Sequence, residues 1–267
     1  MTIALTAALM MPTAVAAQIE IRSGSIVERE ARPGERYSGV ITLGNPTDGP
    51  VEAKLYQTDY LAYADGRTLY GAPGTTPRSN AKWIAFSPSY VMIPSHQTVD
   101  VSYTVTVPPR DAAPLPGTHW SMLMVEVIAK TSPESRLHAA STPQVHVGVE
   151  AHVRYAIQLV THLLPRGAAK VAFGDVKVAM VDGRRLLLWD IVNTGERGVH
   201  PKLSIELYDE SGALAGKLSQ GREPLYPGSS LRQRFDLTRF KPGRYRALLL
   251  VDGGGDDVIG GQITLTF

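Results

Sequence analysis

Hydrophobic and polar residues alternate without interruption from residue 144 to residue 160 (QVHVGVEAHVRYAIQLV). A period of two predicts a β-strand, because successive side chains of a strand point to opposite faces. Strands usually span about 5 or 6 residues, so a strand of this length carries an aliphatic face that one small domain cannot cover alone. The residues on the apolar parity are Val145, Val147, Val149, Ala151, Val153, Tyr155, Ile157 and Leu159.

Shorter alternating runs fill the rest of the chain, and turn sequences rich in Gly, Pro, Asn and Asp separate them. Seven runs, among them 19–27 and 83–93, end with the long one, and seven more follow it. Because no segment has helical periodicity, the pattern predicts an all-β protein with two immunoglobulin-like β-sandwich domains in tandem. We expect an N-terminal domain over 18–160, a linker over 161–169 and a C-terminal domain over 170–267.

The N-terminus has the features of a secretion signal. Residues 3–17 form an apolar run that is too short to cross a bilayer and ends in the small residues Val15, Ala16 and Ala17. This ending is typical of signal-peptidase cleavage and predicts a signal peptide over 1–17 and a periplasmic location. A buried N-terminal helix is the alternative. No later segment is apolar enough to span a membrane, so we expect no transmembrane segment in the mature protein.

Composition and motifs exclude several classes of function. The chain has 27 basic and 25 acidic side chains, so it lacks the positive charge excess of a nucleic-acid-binding protein. It has no cysteine, which excludes disulfides and thiol chemistry. No serine lies in a Gly-x-Ser-x-Gly turn, and the seven histidines form no hydrolase pattern. We therefore expect no enzymatic activity and no cofactor.

Two stretches contain residue types that bind metal ions. His146, Glu150 and His152 share the polar parity of the long strand, but at about 3.3 Å per residue the outer two lie about 20 Å apart. Residues 252–257 (DGGGDD) lack the spaced oxygen ligands of a calcium loop. The sequence favours solvated side chains at the first stretch and a flexible hairpin at the second, so we expect no metal.

The aromatic residues and one long loop complete the candidates. Trp83, Trp120 and Trp189 lie in predicted strands, where an aromatic side chain is typical of a sandwich core, and we interpret them as packing residues. Residues 70–83 (YGAPGTTPRSNAKW) form a long polar loop. Such a loop either contacts a partner or only connects two strands, and both interpretations stay open.

Two adjacent stretches resemble the periplasmic chaperones of the chaperone–usher pathway, the PapD-like family. GTHWSMLMVEVIAK is similar to the penultimate strand of that family's first domain, and VHVGVEAHVRYAIQL is similar to its donor strand. The resemblance implies a chaperone that binds a pilus or coat subunit by donating this strand, and then delivers the subunit to an outer-membrane usher. It implies that the subunit-binding residues are Val145, Val147, Val149, Ala151 and Val153.

The resemblance also implies an anchor for the carboxylate at the subunit's C-terminus. Arg154 falls where the family has a lysine in the cleft between its domains. The family's second basic residue, an arginine on the first strand, matches Ser25, so Arg22 or Arg29 would have to replace it.

A second resemblance supports a different function. The stretch DYLAYADGRTLYGAPGTTPRSNAKWI is similar to the WxL-interacting surface proteins, in which similar sandwiches bind envelope components. It implies a structural or cell-envelope-binding module in which the long strand pairs only within its own sheet.

Overall fold

The regular structure of the protein is almost entirely β. The computed structural model describes residues 18–112, 114–128, 153–221, 223–254 and 258–267. Two short 3-10 turns, Ala81–Trp83 and Arg110–Ala112, are the helical elements of these ranges. The strands are β1 Glu20–Ile21, β2 Ile26–Ala31, β3 Arg36–Gly44, β4 Val51–Ala62, β5 Thr68–Gly71, β6 Ile84–Ser87, β7 Tyr90–Ile93, β8 Thr98–Thr106, β9 Thr118–Ile128, β10 Arg154–Leu163, β11 Val171–Val181, β12 Arg184–Asn193, β13 Lys202–Tyr208, β14 Leu214–Gly221, β15 Ser230–Asp236, β16 Arg244–Asp252 and β17 Val258–Thr266.

The strands form two sandwiches, which confirms the predicted fold class. In the first half, a four-stranded sheet in the order β1-β3-β8-β6 faces a sheet in the order β2-β10-β9-β4-β5, where β7 also pairs with β4. In the second half, a sheet β11-β12-β15 faces a sheet β14-β13-β16-β17. Each half has its own buried core, which is the reason that each can be stable as a sandwich. The limits 18–160, 161–169 and 170–267 stay a prediction.

Several predicted runs divide into two strands. The run 19–27 divides at a turn where Gly24 has a φ of +88°, after which β2 leaves the first sheet and pairs in parallel with β10. The run 83–93 divides around Pro88, which has no N–H to donate to a ladder. Strand β5 is an addition to the predicted runs. The seven runs of the second half correspond to β11 through β17.

The two halves contact each other directly beside the connection. The Thr118 N–H donates to the Glu196 carbonyl at 2.9 Å, and the Gly198 N–H donates to Thr118 Oγ1 at 2.7 Å. Gly117 has a φ of +93°, and a Cβ at this position would lie 2.0 Å from the Glu196 oxygen. Only glycine fits this approach of two backbones.

Candidate functional site

Strand β10 has an incomplete edge at its N-terminal end. It pairs with β9 from Arg154 to His162, whereas its parallel pairing with β2 begins only at Gln158. Residues 154–157 therefore have a main-chain partner on one side only, within the part of the chain that the structure describes. Since main-chain groups of alternate residues point to opposite sides, those of Arg154 and Ala156 lie on the open side.

The side chains of β10 that face the core are those that the alternation in the sequence predicts. Ile157 is fully buried and Leu159 is 3% exposed, and both belong to the core of the first sandwich. Tyr155 packs against the same core, and its hydroxyl accepts hydrogen bonds from the main-chain N–H groups of Gln18 and Ile19 at 3.0 and 3.2 Å. The Val153 carbonyl accepts from the Val127 N–H at 3.1 Å. Val145, Val147, Val149 and Ala151 lie outside the described residues.

The second sandwich covers one end of the opposite face of this sheet, which we call the outer face. Trp120 of β9 points away from the first core and stacks on Tyr226, with ring centroids 4.7 Å apart and an interplanar angle of 16°. Its indole N–H donates to the Tyr60 carbonyl at 2.7 Å. Val160 completes this cluster. The sequence predicts packing for Trp120, and the structure shows that this packing joins the two halves.

A polar cluster lies at the other end of the outer face. Arg154 Nε lies 2.9 Å from Glu126 Oε2 and Lys54 Nζ lies 3.5 Å from Glu126 Oε1. The Tyr56 hydroxyl donates to Glu126 Oε2 at 2.9 Å. Burial would raise the pKa of Glu126, but the Tyr56 hydrogen bond and the charges of Lys54 and Arg154 hold it below its ordinary value. Glu126 is therefore ionised at neutral pH.

The expected position of Arg154 in a cleft between the domains stays a prediction. Arg154 begins β10, and the connection to the second half follows Leu163, nine residues later. The second half reaches the same strand at Gln158, whose Oε1 accepts from the Tyr226 hydroxyl, about 13 Å from Arg154 at about 3.3 Å per residue. The strand continues past residue 160, where the sequence places its end. The role of Arg154 as a carboxylate anchor stays a prediction, and its side chain is 55% exposed.

Arg22 lies on a different sheet from Arg154. It follows β1, its N–H donates to the Thr42 carbonyl at 2.9 Å, and its guanidinium lies 3.5 Å from Glu20. A Cβ on Gly44 would lie 2.7 Å from Arg22 Nε, so the arginine lies against β3. The structure does not bring Arg22 and Arg154 together.

A charged groove of about 620 Å³ lies at the junction of the two halves. Arg29, which the sequence offers as the other replacement for the family's arginine, lines this groove. Three separate segments supply the remaining charged side chains, and no local sequence pattern indicates that they meet. They are Glu28, Glu30, His162, Arg166, Arg197 and His200.

The polar loop after β5 is held firmly by one carboxylate. Asp59 is 1% exposed, and it accepts hydrogen bonds from the N–H groups of Gly74, Thr75 and Thr76 at 3.0, 2.8 and 2.7 Å. The Ser79 hydroxyl donates to the same carboxylate at 2.5 Å. The loop forms one wall of a second pocket between the halves, of about 460 Å³. Both interpretations of the loop, partner contact and connection, stay open.

The remaining candidates have structural surroundings. Trp83 packs against the first core and Trp189 is fully buried in the second. No group of three His, Cys, Asp or Glu side chains among the described residues is arranged to hold a metal ion. His146, Glu150 and His152 lie outside those residues. In the described ranges, no helix is both long and apolar enough to cross a membrane.

No family model and no curated protein matches the chain. Solved structures are similar in fold along most of its length. A chain of the chaperone–tip adhesin complex of CFA/I fimbriae biogenesis is 12% identical with a TM-score of 0.47, over 92% of this chain and 98% of that one. The class 5 fimbriae chaperone CfaA is 12% identical with a TM-score of 0.46, over 91% and 98%. A chain of the CsuC–CsuE pre-assembly complex of Acinetobacter baumannii is 14% identical with a TM-score of 0.46, over 91% and 98%.

These structures are fimbrial and pilus chaperones or their complexes with subunits, which is the family that the sequence resembles. All three identities lie below 25% and all three TM-scores below 0.5, so we base the functional proposal on the contacts of this chain.

Proposed function

We propose that the protein is a periplasmic chaperone that binds pilus or surface-coat subunits by donor-strand complementation and delivers them to an outer-membrane usher. The incomplete edge of β10 at residues 154–157 is the observation that carries this proposal. A subunit that lacks one strand of its own sheet gains main-chain hydrogen bonds by pairing with such an edge. Secretion through a signal peptide over 1–17 is part of the same proposal.

The residues before the incomplete edge supply side chains for the subunit's groove. Val145, Val147, Val149, Ala151 and Val153 continue the apolar parity of β10. Each buried valine contributes on the order of 1.5–3 kcal/mol, so Val145, Val147 and Val149 together contribute about 5–9 kcal/mol before the cost of ordering the two chains. The alternating polar residues stay on the solvent side of the added strand.

Arg154 is proposed to hold the C-terminal carboxylate of the subunit. Its guanidinium already contacts one carboxylate, that of Glu126, at 2.9 Å. This is the distance of a charge-assisted arginine–carboxylate pair. A subunit carboxylate would replace or share this contact. Lys54 approaches the same Glu126 carboxylate at 3.5 Å, so we favour Lys54 over Arg22 as the second basic group beside Arg154.

Co-expression with a subunit tests the proposal. The subunit used is a pilin-like protein, and the measurement is the amount of soluble complex. Val147→Asp should strongly reduce recovery, because it places an unpaired charge in an apolar groove. Val258→Asp is the matched control, since Val258 is 60% exposed on the edge strand β17 and should leave recovery unchanged.

The second candidate is an envelope-binding module. The rigid loop held by Asp59 and its pocket between the halves favour a surface that binds a partner without donating a strand. On this alternative Val147→Asp and Val258→Asp would recover the same amount of complex. Equal recovery would therefore reject the donor strand and leave the envelope-binding module as the better proposal.

A further inference from the structure

In the charged groove at the junction, two histidines contact the same carboxylate. His162 Nε2, from β10, lies 3.6 Å from Glu28 Oε2. His200 Nε2, from the second half, lies 3.4 Å from Glu28 Oε1. Glu28 belongs to β2, the strand that pairs with β10. One carboxylate on the first sandwich therefore contacts an imidazole from each side of the junction.

The hydrogen bonds around His162 orient its ring. Thr118 Oγ1 lies 2.9 Å from His162 Nδ1 and accepts from the Gly198 N–H at 2.7 Å. Because its lone pair faces the Gly198 N–H, the Thr118 hydroxyl can give its own hydrogen to Nδ1. The neutral ring then carries its proton on Nε2, facing Glu28. His162 is thus a positioning residue that needs no extra proton to contact Glu28.

His200 has no such arrangement in the described part of the protein. Its side chain is 41% exposed, and a proton on its ring adds a full positive charge beside Glu28. Histidine is the side-chain type whose charge changes between about pH 5 and 8. The close approach of the His162 ring, 3.6 Å away, holds the pKa of Glu28 below its ordinary value, with the charges of His200 and His162 adding to this effect and burial opposing it. Glu28 thus stays ionised throughout the range in which histidine titrates.

Other charged groups face the same groove, and most of them have partners there. Arg166 pairs with Glu30, Arg197 donates to the Gly254 carbonyl at 3.1 Å, and Arg29 lies over the Tyr37 ring. The three arginines oppose a charge on His200 and the two glutamates favour it. Tyr226 is buried, and the charge of Glu28 adds to the rise of its pKa.

We propose that Glu28, His162 and His200 form a proton-dependent latch that holds the second sandwich against the first more firmly at low pH than at high pH. The latch lies beside Thr118, two residues from Trp120, whose stack with Tyr226 covers the junction end of the outer face. Opening the latch therefore loosens the cover that the second sandwich places over the junction end of the outer face. This inference does not depend on the proposed client.

Amide hydrogen exchange of the full chain tests the latch. The N–H groups of Thr118 and Gly198 both donate across the junction, at 2.9 and 2.7 Å, so their exchange reports its opening. Protection factors, which correct for the intrinsic pH dependence of exchange, are measured at pH 5.5 and pH 8. Raising the pH should lower both about 1.5- to 5-fold, the range expected when an exposed ion pair is lost. The Leu123 amide, inside the first sandwich, is the internal reference.

Matched variants separate the latch from general effects of pH. Glu28→Gln and His200→Gln should each abolish the pH-dependent fall while far-UV circular dichroism stays unchanged. Asp48→Asn is the control, because Asp48 Oδ1 lies 3.0 Å from His96 Nε2 in a histidine–carboxylate pair within the first sandwich. It should keep the wild-type fall. Protection factors of the wild type that differ less than 1.5-fold between the two pH values, or an undiminished fall in Glu28→Gln, would overturn the proposal.

Discussion

Asp59→Asn should destabilise the first sandwich substantially, because Asp59 is the acceptor that fixes the loop after β5. Its two oxygens receive three main-chain N–H groups and the Ser79 hydroxyl, at 2.5–3.0 Å. An asparagine keeps only one oxygen, and either orientation of its amide leaves two of these donors facing an NH₂ group. At about 1–3 kcal/mol for each of the two unsatisfied donors, the expected loss of unfolding free energy is about 2–6 kcal/mol.

Urea unfolding at pH 7, followed by tryptophan fluorescence, measures this loss. Burial would raise the pKa of Asp59, but the hydrogen bonds from Ser79, Thr76, Gly74 and Thr75 outweigh it and lower the pKa. The stabilisation is therefore fully present above the unfolded pKa of about 3.9 and is lost as pH falls through the lower folded value. The difference between wild type and Asp59→Asn should shrink below about pH 4.

Asp65→Asn is the matched control for this experiment. Asp65 lies in the hairpin between β4 and β5, is exposed, and accepts from the Arg67 N–H and guanidinium at 3.0 and 2.6 Å. Because water can replace these contacts, the variant should unfold close to the wild-type urea concentration. Equal midpoints for Asp59→Asn and Asp65→Asn would refute the reasoning that the buried carboxylate organises the loop.

Three further predictions concern the junction and the polar cluster. Gly117→Ala should loosen the junction, since its Cβ would lie 2.0 Å from the Glu196 oxygen at a φ of +93°; faster exchange of the Thr118 amide measures this, and unchanged exchange would contradict it. Trp120→Ala should cost about 3–5 kcal/mol of unfolding free energy, because it removes a 3%-exposed side chain; a loss below about 1 kcal/mol in urea unfolding would argue against the interdomain stack. Arg154→Ala should change stability by less than about 1 kcal/mol, because the Arg154 side chain is 55% exposed and Lys54 and Tyr56 keep their contacts with the buried Glu126, while soluble complex with a subunit falls; undiminished complex would reject the anchor.

Alternation along the chain predicts which side chains of a strand face the core. It does not predict equally well which other strand that strand pairs with. The inward positions of Tyr155, Ile157 and Leu159 follow from parity alone, because the pleat leaves no other choice. The division of the run 19–27 between two sheets does not follow, since alternation continues through the turn at Gly24. A change of sheet is decided by pairing with distant strands, here β3 and β10.

At the candidate site, too, local sequence predicts some features, whereas others depend on contacts between distant segments. The incomplete edge of β10 lies within the alternating stretch that is visible in the sequence. The Glu126 partner of Arg154 depends on the register between β9 and β10, which no local pattern specifies. The contact of Glu28 with His162 and His200 joins three separate segments, so only the folded chain brings these residues together.

Hydrogen exchange of the Arg154 and Ala156 amides, in the free protein and in its complex with a pilus subunit, tests most directly whether β10 pairs with a client. Both residues direct their main-chain groups to the side of β10 that has no partner among the described residues. Donor-strand binding should protect both amides strongly in the complex, because the client's strand supplies their acceptors. If the complex forms and the two amides exchange at the rates of the free protein, the client binds elsewhere and the proposed use of this edge is contradicted.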